Sequence, residues 1–201
     1  MANVLVLYPE LFNCYPKFAK KLRRITSSLD VINLFFLNDP NGFIERLYNE
    51  DISKMQSTKI QELTLDAITH AVVFDDGEEF SEETKILRDA NISLRVIKIR
   101  ITRVINLKHE PEYNSAKSTP NYEYIGRGSY WGNPYSMYEE GDTREEVIRK
   151  FKYDFDYDKF PNKEKSKVYI LAGKRLGCYC KPQDCHGDVL AEYLNSWDDG
   201  E

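Results

Sequence analysis

The sequence predicts an α/β chain in two parts, a small domain built on a parallel sheet and then a compact α+β domain. Three observations carry that expectation. Short apolar runs alternate with helical periodicity across residues 1–102, the runs are apolar on both faces, and the periodicity breaks in a polar stretch from His109 to Tyr122. Strands that alternate with helices and are buried on both faces belong to a parallel sheet covered by helices.

The elements follow in order. Val4 to Leu7 reads as a strand closed by Pro9, and Phe18, Leu22 and Ile25 repeat at helical spacing within a helix over Tyr15 to Ser28. Val31 to Leu37 is a second strand, the cluster Asn38-Asp39-Pro40-Asn41-Gly42 a turn, and Phe43 to Tyr48 a short helix. A helix over Lys59 to Ile68 then leads to a strand at Ala71 to Phe74, which stops at Asp75-Asp76-Gly77. Ser81 caps a helix running to Ala90, and Leu94 to Ile101 closes the first domain as its fourth strand. Such a domain is Rossmann-like, and ligands of open sheets bind beyond the carboxyl ends of the strands, where Asp75 and Asp76 lie. No Gly-x-Gly-x-x-Gly follows the first strand, which speaks against an ordinary dinucleotide fingerprint.

The segment Phe74-Asp75-Asp76-Gly77, with Ser81-Glu82-Glu83-Thr84 and Ala90 to Ile97, resembles the later half of nucleotide-sensing Rossmann-like domains related to lysine decarboxylase-like and DNA-processing proteins. The resemblance implies a nucleotide-like ligand. The Gly-rich nucleotide loop of those domains is missing here.

The second domain, residues 103–201, opens on a strand at Val104 to Leu107. Thr143 and Glu146 have capping-box spacing at the head of a helix to Phe155, with Val147, Phe151 and Phe155 on one side. Val168 to Ala172 reads as a strand, Arg175 to Cys180 as extended chain, and Asp188 to Asn195 as the last helix. The acidic tail from Asp198 is expected in solvent.

Composition limits the function classes. The chain of 201 residues is 41% hydrophobic and 13% aromatic, which is ordinary globular material. A net charge of −5 argues against a protein that coats nucleic acid through its overall field. No apolar run is long enough to span a bilayer, so no membrane partner is expected. Met1 to Tyr8 lacks the basic and small-residue signals of a secretory leader, which places the chain in the cytoplasm with its thiols reduced. The 14 tyrosines fit a partly apolar surface or a contact in a homo-oligomer.

Two segments can do chemistry. Tyr124 to Pro134 places Arg127 between Gly126 and Gly128, so a close backbone approach and a guanidinium fork fit a phosphate or carboxylate. Ser129 and Asn133 offer hydrogen bonds, and Trp131 or Tyr130 a ring for stacking on a base. A tight loop that folds Trp131 into the core is the structural alternative. Further on, three of the four cysteines, Cys178, Cys180 and Cys185, crowd beside His186 within nine residues. They can be small core residues. Together with His186 or His109 they can be zinc ligands, although the spacing fits common zinc modules poorly. Or Cys185 and His186 are catalytic at the start of the last helix, with Asp188 orienting the imidazole and the helix dipole lowering the thiol pKa. Neither the Cys-x5-Arg loop of a cysteine phosphatase nor a serine nucleophile elbow is present.

Val104 to His109, the Gly126-Arg127 to Pro134 loop, Thr143 to Lys150, Gly173 to Cys180 and Cys185-His186-Gly187-Asp188 closely resemble a bacterial and phage family known as domain of unknown function 4326. The resemblance spans about residues 103–197 and implies that the Arg127 loop and the cysteines belong to one domain and one site. The leading expectation is an enzyme acting on a nucleotide, nucleoside or related phosphorylated small molecule at a glycosidic or phosphate bond. Arg127 holds the anion and Lys174 and Arg175 add positive potential. The rivals are a zinc-stabilised binding module and a nucleotide-sensing or sequestering protein.

Overall fold

A computed structural model describes residues 1–113, 118–138 and 141–200. The chain divides into two compact units, Met1–Ile99 with the segment from Ser196 onward, and Arg100–Asn195.

The first unit is α/β, as the sequence predicts. Its strands are β1 (Ala2–Leu7), β2 (Ile32–Phe36), β3 (Met55–Lys59), β4 (His70–Asp75) and β5 (Ser93–Lys98), all parallel in the order β3-β2-β1-β4-β5. Helices α1 (Tyr15–Thr26), α2 (Phe43–Glu50) and α3 (Ser81–Asp89) make the crossovers. On α1, Tyr15, Phe18, Ala19, Leu22 and Thr26 are buried, an i, i+3, i+4, i+7 stripe. Phe18 stacks on Phe74 at 5.1 Å and Tyr8 on Phe43 at 5.4 Å, so rings from β4, from the residue just after β1 and from two helices share one core.

Three local expectations are corrected. Of the stretch expected to be helical from Lys59 to Ile68, only Leu65–Ala67 is helical, as one 3-10 turn, and Lys59 is the last residue of strand β3. This fifth strand is an edge, and of its residues only Met55 is buried, so it carries no apolar signal. Ser81 is the first helical residue of α3 rather than its cap, because Phe80 before it adopts a left-handed conformation at φ 60°. The acidic tail is not simply solvated. Asp199 grips the buried Lys17 Nζ on α1 through both carboxylate oxygens, at 2.6 and 2.8 Å.

The second unit holds a smaller parallel sheet, β6-β8-β7, made of β6 (Arg103–Asn106), β7 (Tyr122–Tyr124) and β8 (Arg175–Cys178). Helices α4 (Arg144–Asp156) and α5 (His186–Asn195) complete it. The capping box at Thr143 and Glu146 forms as read from the sequence. The expected strand at Val168 to Ala172 is instead a 3-10 helix, Lys165–Leu171, whose buried residues Val168 and Leu171 stand one 3-10 turn apart. Ile125, Trp131, Phe151, Phe155, Leu176, Leu190 and Leu194 form the core. The unit is closed end to end. The amide of Thr102 donates to Asn195 Oδ1 at 2.8 Å, and Asn195 Nδ2 donates back to the Thr102 carbonyl at 3.0 Å.

Candidate functional site

The central strand β8 ends at Cys178, and the chain then turns through Cys180 and the Lys181-Pro182 bend to reach α5. Cys185 precedes the first residue of α5 and acts as its cap. Its sulfur accepts the Gly187 N–H at 3.4 Å, and Asp188 Oδ2 accepts the Cys185 N–H at 2.9 Å. The Asp188 side chain supplies one half of a capping box, while the thiol caps the second helical N–H rather than the third. A Cβ at Gly187 would lie 2.4 Å from Ile125 Cδ1, so a larger residue there would force that side chain to move.

The turn returns Cys180 to Cys178, with 3.5 Å between their sulfurs. Among the described residues, the sulfurs of Cys178, Cys180 and Cys185 lie within 4.8 Å of one another, close enough to hold a metal ion. All three cysteines are free thiols. Cys178 and Cys185 are buried, while Cys180 is half-exposed. Hydrogen bonds from its two neighbours and the charge of Arg144 hold the Cys180 thiol far below its usual range. The same sharing, with burial, pushes the Cys185 thiol up.

These sulfurs line a pocket of about 120 Å³ with Arg127, Asn133, Tyr135, Met137, Arg144 and His186. Arg127 reaches it from the glycine loop, where its Nη1 donates to Ser136 Oγ at 3.3 Å. Arg144 comes from the first turn of α4 and donates from Nη1 to the Asp184 carbonyl at 3.1 Å. The loop is held in shape by Gly132, whose missing Cβ would fall 2.5 Å from the Gly126 carbonyl oxygen.

The sequence-predicted residues divide accordingly. Arg127, Asn133, Cys178, Cys180, Cys185 and His186 converge on the pocket. Asn133 is already committed there, since its amide donates to the Val147 carbonyl and accepts the Tyr135 N–H, both at 3.0 Å, so it fastens the loop to α4. His186 is buried beside Phe151, and burial lowers its pKa, so the ring is neutral. The remaining candidates are corrected. Trp131 is 2% exposed within the core and has no free face for a base. Ser129 does not line the pocket, and its Oγ is buried without a partner. Asp188 serves the helix cap and pairs with Lys181 at 2.7 Å instead of orienting the imidazole. Lys174 pairs with Glu123 at 3.0 Å, and neither it nor Arg175, whose main-chain N–H donates to the Asn121 carbonyl, lines the pocket. His109 is exposed and outside the sulfur group.

Asp75 and Asp76 belong to the first unit, where they build a turn. Asp75 accepts the Gly77 N–H and pairs with Lys98, and Asp76 accepts the Glu78 and Glu79 N–H groups. The ligand position expected beyond the strands does form a recess, about 540 Å³, with Tyr8, Glu10, Asp39, Lys59, Glu79 and Glu83 on its walls. Asp39 on its wall accepts the N–H groups of Ile44 and Glu45 in the first turn of α2, which occupies those donors.

Arg144 is the functional candidate that the sequence reading missed. A signal existed, since a cation in the first turn of a helix opposes the macrodipole and calls for another reason to be there.

The family described as Minimal SLOG domain matches residues 1–105, and the Domain of unknown function (DUF4326) matches residues 105–196. Both resemblances read from the sequence therefore hold. The chain is 36% identical over 98 residues to a protein of Enterobacteria phage T4 described as an uncharacterized 12.4 kDa protein in the nrdA-td intergenic region, which covers 48% of this chain and 80% of that protein. No solved structure matches the chain. Among the described residues no helix is long and apolar enough to cross a membrane.

Proposed function

The chain belongs to the minimal SLOG domain family and carries a second domain of unknown-function family 4326, and on that premise we propose an enzyme acting on a nucleotide or related phosphorylated small molecule. The SLOG membership supports a nucleotide-related function. The single observation that carries the site is that two guanidiniums, Arg127 and Arg144, line one pocket with three sulfurs.

A volume of about 120 Å³ suits an anionic head group, with the rest of the ligand extending outward. Paired guanidiniums bind phosphate through charge-assisted hydrogen bonds. In this reading Arg127 and Arg144 hold the phosphate, and the reacting bond lies against the half-exposed Cys180 sulfur. The acidic recess of the first unit disfavours a phosphate, which is a second reason to seat the anion among the arginines.

Titration calorimetry with AMP, ADP and ADP-ribose, followed by chromatography for product, tests the proposal. Arg127→Ala and Arg144→Ala should each weaken binding roughly tenfold to a hundredfold, the loss of a charged hydrogen bond, while the melting temperature holds. Binding without product would reduce the protein to a sensor. No binding by any of the three would remove the nucleotide reading.

A further inference from the structure

Three soft ligand atoms are presented by three different supports: Cys178 by the end of β8, Cys180 by the turn after it and Cys185 by the cap of α5. Zinc–thiolate bonds of about 2.3 Å place sulfurs about 3.8 Å apart around a tetrahedral ion. The observed 3.5 Å between Cys178 and Cys180, and the 4.8 Å limit for the set, bracket that separation. A closed structural site needs a fourth protein ligand. Among the described residues no imidazole joins the set: His186 is outside the group of ligand atoms that lie within 4.8 Å of one another, although its Nδ1 faces the Cys185 sulfur at 3.6 Å.

We propose that Cys178, Cys180 and Cys185 bind one zinc ion as thiolates and leave its fourth position open to the pocket lined by Arg127 and Arg144. Three protein ligands with one exchangeable position is the arrangement of catalytic rather than structural zinc. Thiolates favour zinc over magnesium or calcium. Three thiolates and a divalent ion carry one net negative charge, and the two guanidiniums outweigh it, so an anion can still approach. The Gly187 N–H on the Cys185 sulfur supplies the outer-shell hydrogen bond that such a ligand needs. Loading releases the thiol protons to the buffer.

The inference goes beyond the proposed function, since metal loading does not depend on which ligand the pocket takes. The full chain, stripped with chelator, is titrated with Zn²⁺ and with Co²⁺ as a visible substitute. About one equivalent should bind, with the intense visible bands of tetrahedral cobalt thiolate, and azide should shift those bands by entering the open position. Cys180→Ser should hold less than about a tenth of an equivalent with an unchanged circular dichroism spectrum. His186→Gln, whose amide can still donate to Ile125, should keep its metal. Binding below about a tenth of an equivalent by the unaltered chain overturns the site, whether or not Cys180→Ser folds. Loss of metal in His186→Gln, or cobalt bands unmoved by azide, overturns the open position. Full metal loading with no nucleotide bound leaves this inference standing and removes only the nucleotide reading.

Discussion

His186 donates its Nε2–H to the main-chain carbonyl of Ile125 at 2.9 Å, which leaves Nδ1 bare and facing the Cys185 sulfur at 3.6 Å. A carbonyl only accepts, so this partner fixes the tautomer. Removing the ring strands a buried acceptor and opens a hole beside Phe151. His186→Ala should cost about 2–4 kcal/mol in urea denaturation, and His186→Gln, which restores the donor, about half as much. Equal losses in the two variants would mean that the Ile125 bond contributes little.

Lys17 and Asp199 form a largely buried ion pair at 2.6 Å that anchors the chain's end to α1. Taking away one member leaves an ammonium in a poorly hydrated position. Asp199→Asn, or truncation after Ser196, should destabilise the first unit by about 3 kcal/mol, read as a lower denaturation midpoint. A midpoint within the error of the unaltered chain would show that Lys17 swings out to water.

Glu50 sits among the Tyr15 hydroxyl and the Arg23 and Arg46 guanidiniums, which hold its carboxyl down to about 2. A carboxyl depressed by folding contributes stability above its unfolded pKa of about 4.3 and loses it as pH falls through the folded value. The midpoint gap between the chain and Glu50→Gln should therefore be constant above about pH 5 and close toward pH 2. A gap that does not vary with pH would assign the difference to packing.

Gly132 and Gly128 separate two reasons for glycine in one loop. A Cβ on Gly132 would meet the backbone oxygen of Gly126 at 2.5 Å, whereas Gly128 has open space but a φ of +84°. Gly132→Ala should cost about 1–3 kcal/mol and reshape the pocket mouth. Gly128→Ala should cost about 1 kcal/mol, from backbone strain alone. Thermal unfolding orders them, and the reverse order would contradict the close contact.

What could be read in the sequence follows from where the physical signal lies. Strands β1, β2 and β4 are apolar on both faces and announce themselves. Edge strand β3 is polar at four of its five positions and gains its shape from backbone pairing with β2, which no side-chain pattern records. Val168 and Leu171 are apolar in a short run, and a 3-10 turn and a strand of that length share the same signature. Within the site, the sulfur crowding and the glycine-flanked Arg127 were visible because rare residues cluster. Trp131 was ambiguous, since an aromatic beside glycines serves a core as well as a ligand. Arg144 was hidden because its contribution depends on the path that brings α4 against the Cys180 turn.

The double hydrogen bond between Thr102 and Asn195 has a consequence for how this chain can change over time. It joins Thr102, two residues into the second unit, to Asn195, the last residue of that unit, so the unit's two ends meet at one point. Another module whose ends meet as closely could be exchanged for it without re-threading any strand of the five-stranded sheet.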